Sequence, residues 1–356
     1  MNIRVQQATS SRIGEVDFDN LVFGRQFSDH MFVVDYADGE WQDARIVPFG
    51  DLRIHPACMA LHYGQAVFEG MKASKSKDGE PLVFRPEEHA KRINASCRRM
   101  MMPEFPEAVF VDAIHKLVGL DQAWIPPQEG SALYLRPFVF ATDPFVGVRP
   151  SETYKFIIFT CPVGPYYARP VKLLAETQYI RAAIGGVGEA KAAGNYAAAM
   201  LPTQLAKEKG FDQVLWLDAK EHKYIQEVGT MNIFFQIGNR IVTPATDGAI
   251  LRGITRNSVM TILRDAGFEV EERPISIDEI VDASHAGTLR ACFGSGTAAV
   301  VSFVEEIQYQ DHTIRFPEVT DDSPAAIAKR TINAIRAATQ PDPYGWTVRV
   351  NQGVAV

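Results

Sequence analysis

The chain reads as an α+β protein of two domains. Its 356 residues are more than one small hydrophobic core organises. Strand-like and helix-like segments follow an order other than strict strand–helix–strand alternation, which argues for mixed sheets rather than a doubly wound fold. The segment PVGPYYARP (162–170), with three prolines and a glycine after a strong strand, reads as a connection between domains.

The elements follow in order. HMFVVDY (30–36), PLVFR (81–85), ALYLRPFVFA (132–141) and KFIIFTCPV (155–163) are rich in β-branched and aromatic residues and predict strands. Between them, EEHAKRINASCRRMM (87–101) and PEAVFVDAIHKLVGL (106–120) have helical periodicity. In the second half QVLWL (213–217), NIFFQI (232–237) and RIVTPA (240–245) predict strands, and residues 196–209, 255–266 and 323–339 predict helices.

Composition narrows the function. A formal charge of -7 and the absence of a basic block give no electrostatic support to a nucleic-acid role. The polar start MNIRVQQATSSRIGEVDFDN lacks the apolar core of a secretory signal, and no apolar run is long enough to span a bilayer, so a cytoplasmic protein without membrane association is expected. Cys58, Cys97, Cys161 and Cys292 are scattered with neither CxxC nor Cys/His clustering, so buried thiols are expected rather than a metal site or disulfides.

Four glycine-containing turns mark the second half: GGVGEAKAAGNY (185–196), QEVGTMNIF (226–234), LRGITRNS (251–258) and FGSGTAAV (293–300). None is a Walker-type or dinucleotide-binding glycine motif. Lys191 sits among alanines, with Tyr196 five places on; a lysine kept from water loses basicity and becomes a carbonyl-reactive amine. Glu227 lies between apolar segments, where a carboxylate must be paired or exposed, and a protonated pyridine nitrogen is a fitting partner. LRGITRNS reads as a tight turn opening a helix, whose N–H groups near Ile254 and Thr255 suit a phosphate, and GSGTA is a second N–H-rich turn with the Thr297 hydroxyl.

In order along the chain, FSDHMF (27–32), HYGQAVFEGMKA (62–73), FRPEEHAKRI (84–93), LYLRPFVFAT (133–142), GGVGEAKAAGNY, QVLWLDA (213–219), EVGTMNIFF (227–235), LRGITRNSV (251–259) and FGSGTAAVV (293–301) closely resemble the branched-chain amino acid aminotransferases, pyridoxal 5'-phosphate (PLP) enzymes of fold type IV. The resemblance implies a smaller α/β domain over 1–163, an interdomain loop over 164–170, and a larger, barrel-like PLP-binding domain over 171–356. It implies reversible transamination between L-leucine, L-isoleucine or L-valine and 2-oxoglutarate, in a homodimer.

By the same resemblance, Lys191 is the Schiff-base lysine and proton carrier, Glu227 the partner of the pyridine nitrogen, and Tyr196 a contact of the cofactor's phenolic oxygen. Arg92 is the phosphate arginine; Ile254 and Thr255 give the phosphate backbone N–H groups, and Thr297 its hydroxyl. Thr230 and Ala298 match positions that bind the substrate α-carboxylate. Phe27, Tyr63, Phe68, Tyr134 and Tyr166 match aromatics of the side-chain pocket, and Arg136 with the hydroxyls of Tyr63 and Tyr134 is expected to receive the side-chain carboxylate of glutamate. Mammalian members carry a CxxC pair after the GTA turn; AAVVSF stands there in this chain, which rules out a thiol switch at that place.

Two rivals remain at this point. A D-amino acid aminotransferase or an aminodeoxychorismate lyase would share the lysine–glutamate pair, although EVGTMNIF and HYGQAVFEGMKA favour the branched-chain class. A silent PLP-binding scaffold would be expected to have lost Lys191, Glu227 or the phosphate contacts, and it has lost none.

Overall fold

The structure, a computed structural model, describes residues 1–165 and 169–350. Its described residues form two compact units: 1–165 with 190–193 and 333–350, and 169–189 with 194–332. The expected boundaries place 190–193 and 333–350 in the second domain; here both group with the first. The reasons are local. Phe68 N–H donates to the Lys191 carbonyl at 3.0 Å and Lys191 N–H to Ser96 Oγ at 3.0 Å. Near the C-terminus, Thr347–Arg349 adds an antiparallel strand to Pro81–Phe84.

The first unit holds a nine-stranded sheet in the order Arg4–Val5, Glu40–Pro48, His30–Ala37, Tyr154–Val163, Ala132–Ala141, Met71–Lys75, Pro81–Phe84, Thr347–Arg349. Ala66–Phe68 pairs with Ala132–Ala141 as well, and the pairing is antiparallel except between the first two strands. Side chains alternate across a strand. Leu133, Leu135 and Val139 therefore join Val67, Met71 and Ala73 in a core with Ala90 and Ile93 of helix Pro86–Arg99 and Phe110 and Ile114 of helix Glu107–Leu120. The intervening Tyr134, Arg136 and Phe138 take the other face.

The second unit holds another nine-stranded sheet, ordered Ile225–Val228, Gln213–Leu217, Val171–Ala175, Val300–Tyr309, Leu289–Gly296, Asn232–Ile237, Arg240–Thr243, Glu269–Glu272, with His312–Arg315 added to Val300–Tyr309. Parallel and antiparallel pairs mix, as α+β organisation requires. Leu173, Leu215, Ile233 and Phe235 pack there with Ile277 and Ile280 of helix Ile277–His285, which Ser276 caps by accepting from Glu279 N–H at 3.0 Å.

Differences from the sequence reading have identifiable causes. The helix expected over 196–209 is two, Ala193–Ala198 and Met200–Glu208, because Pro202 has no N–H to bond the Ala198 carbonyl. The strand expected to run to residue 245 stops at Thr243, before Pro244. Arg85 takes φ 53° and breaks the preceding strand, so that Pro86 opens the next helix. All four cysteines are buried and outside any disulfide. No described helix is long and apolar enough to cross a membrane.

Candidate active site

The residues singled out from sequence fall into two groups, one in each unit. In the first unit, Lys191 stands with its Nζ 4.6 Å from the centroid of Phe68. The Arg136 guanidinium lies 4.7 Å from the same ring and 5.4 Å from that of Tyr134, and Arg136 Nη2 donates to Tyr134 Oη at 3.1 Å. Phe68 thus has two basic side chains within cation–π reach of its ring. Arg136 Nε is buried without a hydrogen-bond partner among the described residues, so this guanidinium retains capacity for an anionic group. Phe27 packs beside Tyr134 and Cys161 and stacks on Phe49 at 4.9 Å. Tyr63, at the end of the short helix Met59–Tyr63, is 39% exposed. The expected trio of Arg136, Tyr134 and Tyr63 is therefore seen as the Arg136–Tyr134 pair. Tyr166 lies outside the described residues.

Gly70 explains part of this packing. A Cβ there would come within 2.0 Å of Tyr134 Oη, so a side chain at position 70 would displace the hydroxyl that Arg136 holds.

Behind Phe68 the next side chain turns to the helix-covered face. Glu69 is fully buried and accepts from Arg92 Nε at 2.7 Å, Arg92 Nη2 at 2.8 Å and His89 Nδ1 at 2.7 Å. His89, Arg92 and Ser96 are spaced three and four residues apart on helix Pro86–Arg99 and share one face. That face meets both Glu69 and, through Ser96, the Lys191 backbone. Burial pushes the Glu69 carboxyl up, but the charges and hydrogen bonds of Arg92 and His89 outweigh it and hold the group well below the usual carboxylate range. Burial pushes His89 down, against the pull of Glu69, with the charges of Arg92 and Lys191 acting in the same direction as burial. The triad is consistent with an ionised Glu69, a cationic Arg92 and a neutral His89 that donates from Nδ1.

In the second unit, Glu227 is the penultimate residue of strand Ile225–Val228, its side chain 4% exposed. Its Oε1 accepts from Leu251 N–H at 2.7 Å, and Arg181 Nε lies 3.4 Å from its Oε2, an ion pair outside hydrogen-bond geometry. Arg181 is anchored through Nη2 to the carbonyls of Gly188 and Ala249. Gly229 and Thr230 form the turn after Glu227, with Val228 and Met231 exchanging backbone bonds at 2.9 and 2.8 Å. Gly229 has φ 53°, and a Cβ there would fall 2.3 Å from Gln213 Oε1. Glycine is therefore what lets the turn present Thr230, which is exposed.

Ile254 and Thr255 are the first two residues of helix Ile254–Asp265, where N–H groups point out of the helix end. Gly253 precedes them, and a Cβ there would meet Asn232 Oδ1 at 2.0 Å; Asn232 in turn holds the Leu251 carbonyl at 2.9 Å. Thr297 and Ala298 lie in the turn between Leu289–Gly296 and Val300–Tyr309. Val300 closes that turn at φ 62°, a strained conformation for a β-branched residue. Tyr196 is half-buried on helix Ala193–Ala198.

Sequence reasoning named neither Glu69, His89 nor Arg181. The signal for Glu69 was a lone carboxylate inside the apolar run AVFEGM; Arg181 had none, since its partner lies 46 positions on in sequence (227 − 181).

A lysine amine and a paired arginine in the first unit and a buried carboxylate in the second are residue types suited to a pyridoxal cofactor. The amino-transferase class IV family matches this chain over residues 66–307. That stretch contains Lys191, Glu227, Arg92 and all four glycine-containing turns. Among its relatives, branched-chain-amino-acid aminotransferase 2 of Bacillus subtilis (strain 168) is 48% identical over 355 residues, covering 98% of this chain and 97% of that protein. The branched-chain-amino-acid aminotransferase of Mycolicibacterium smegmatis is 42% identical over 341 residues, covering 92% of each. The crystal structure of the Escherichia coli branched-chain amino acid aminotransferase superposes with a TM-score of 0.73 at 26% identity, covering 91% of this chain and 99% of that one. The chain belongs to the branched-chain-amino-acid aminotransferases of class IV, and its two units carry the fold type IV architecture.

Proposed function

We infer that this protein catalyses reversible PLP-dependent transamination between L-leucine, L-isoleucine or L-valine and 2-oxoglutarate. The observation that carries the reading is the Lys191 amine on the Phe68 ring, with a second cation, Arg136, on that same ring. Family membership supplies the amino-acid class. Another solved branched-chain amino acid aminotransferase, at 25% identity with a TM-score of 0.73 and covering 89% of this chain and 98% of that one, is complexed with N-(5'-phosphopyridoxyl)-L-glutamate.

PLP, when bound, supplies an electron-withdrawing ring that disperses the charge left at the substrate Cα. In the proposed assignment Lys191 would hold the cofactor through its ε-amine, and that amine would carry the proton taken from the substrate Cα. Glu227 would serve as the partner of the pyridine nitrogen and keep it protonated, and Tyr196 would partner the phenolic oxygen. Arg92, the N–H groups of Ile254 and Thr255 and the Thr297 hydroxyl would hold its phosphate. Thr230 and the Ala298 N–H receive the α-carboxylate.

Two kinds of side chain must share one pocket. Phe27, Tyr63, Phe68 and Tyr134 offer apolar surface to a branched alkyl group, worth about 0.8 kcal/mol per buried methylene. Arg136, held by Tyr134 and with its Nε still to be satisfied, suits the side-chain carboxylate of glutamate. Substrate half-reactions check this directly. L-Leucine, L-isoleucine, L-valine and L-glutamate are each expected to convert the yellow PLP form to the pyridoxamine form. Conversion by a D-amino acid alone would assign the protein to the D-specific branch of the class.

A homodimer is part of the same reading. Leu61, Phe145, Val146 and Val148 are exposed, and the backbone bond from Met59 N–H to the Asp143 carbonyl at 3.0 Å draws their segments together. Exposed apolar groups so grouped are the usual mark of a covered face. Light scattering is expected to give a dimer for the wild type and a monomer for the Leu61→Glu/Val148→Glu double variant. A dimer unaffected by both changes would place the interface elsewhere.

A further inference from the structure

We propose that Glu69 is the positioning residue of the phosphate clamp, fixing the Arg92 guanidinium so that its outer edge is presented to the cofactor's phosphate. The proposal rests on the reading of the site given above and deepens it. Arg92 alone is a long side chain with many rotamers, and ordering it costs conformational entropy. Glu69 removes that freedom. Its two oxygens take the Nε–Nη2 side of the guanidinium at 2.7 and 2.8 Å, and a planar fork gripped on one side has its end edge, made by Nη1 and Nη2, set in direction.

Glu69 is itself fixed. It is fully buried, its own N–H donates to the Pro137 carbonyl at 2.7 Å, and His89 Nδ1 holds its second oxygen at 2.7 Å. His89 and Arg92 come from one helix and Glu69 from the strand edge beside Phe68, so the three lock that helix to the segment bearing the lysine's aromatic neighbour. A buried ion pair is a weak way to stabilise a fold, since desolvation cancels most of the attraction. Its geometry is more informative than its energy: the carboxylate sits where it orients a cation that the cofactor needs.

A merely structural role and a positioning role separate by comparing PLP with pyridoxal, which lacks the phosphate. The apoprotein forms of wild type, Glu69→Gln and Glu69→Asp are titrated with each, followed by the absorbance of the lysine-bound chromophore, and their thermal melts are recorded. Glu69→Gln is expected to weaken PLP by roughly tenfold or more, the scale of a lost charge-assisted pair, and to leave pyridoxal binding unchanged. Glu69→Asp keeps the charge, and with it the fold should Gln fail to fold, but withdraws the carboxylate by one methylene; it is expected to show the same selective loss. Equal weakening of both compounds, or no weakening of either, would overturn the role given to Glu69. A wild-type protein that binds neither compound would instead remove the reading of the site itself.

Discussion

Lys191→Ala is expected to lose transamination by about four orders of magnitude or more, the combined loss of a covalent anchor and a general base. The same change should erase the visible absorbance of the lysine-bound cofactor. The fold should survive. Lys191 contributes its backbone to the first unit, through its carbonyl to Phe68 and its N–H to Ser96, and alanine keeps both bonds. The side chain gives up its contact with the Phe68 ring, worth about 1 kcal/mol. Circular dichroism and a melting curve close to wild type, with turnover gone, are therefore the expected pair of results. Turnover retained by this variant would refute the role given to the lysine.

Glu227→Gln carries the next largest effect, a fall in kcat of roughly 100-fold to 1000-fold with the cofactor still bound. Glutamine is nearly isosteric, and its amide oxygen can still accept from Leu251 N–H as Oε1 does. What disappears is the negative charge, and Arg181 makes that loss worse. Its guanidinium, tied to the Gly188 and Ala249 carbonyls, stays in place 3.4 Å from where Oε2 was, so the variant presents a net positive charge. A protonated pyridine nitrogen is then disfavoured by repulsion as well as by the missing partner. Removing Arg181's charge in the same chain, by Arg181→Gln, should recover part of the rate; stopped-flow half-reactions with L-leucine measure both variants. Equal rates for wild type and Glu227→Gln would show that the carboxylate does not serve the ring nitrogen.

Much of the fold and of the site was legible in the sequence. Strands such as Ala132–Ala141 and Gln213–Leu217 fall on their predicted ranges because apolar composition and turn residues bound them on both sides. The strand Glu40–Pro48 is less legible because its opening EWQD is mostly polar and exposed, leaving only a short apolar alternation after it. Lys191 and Glu227 stand out as candidates because each is one polar residue whose surroundings, alanines or apolar strands, give it little other reason to be there. Glu69 and Arg181 act through partners 23 and 46 positions away (92 − 69 and 227 − 181), and pairing across such distances is fixed by strand register and helix face, which no local pattern reports. The same limit applies to Phe23, whose ring meets Tyr134 edge-on at 5.1 Å from a segment with no regular structure.

The central claim, that the ε-amine of Lys191 holds the cofactor, is tested most directly by chemical trapping. The PLP-loaded protein is reduced with borohydride, digested, and its peptides weighed. The expected result is a single pyridoxyl adduct on the peptide containing Lys191. The first unit offers an instructive competitor in Lys72, a buried lysine that faces Tyr134 across adjacent strands. An adduct on Lys72, or no adduct at all, would contradict the assignment of Lys191.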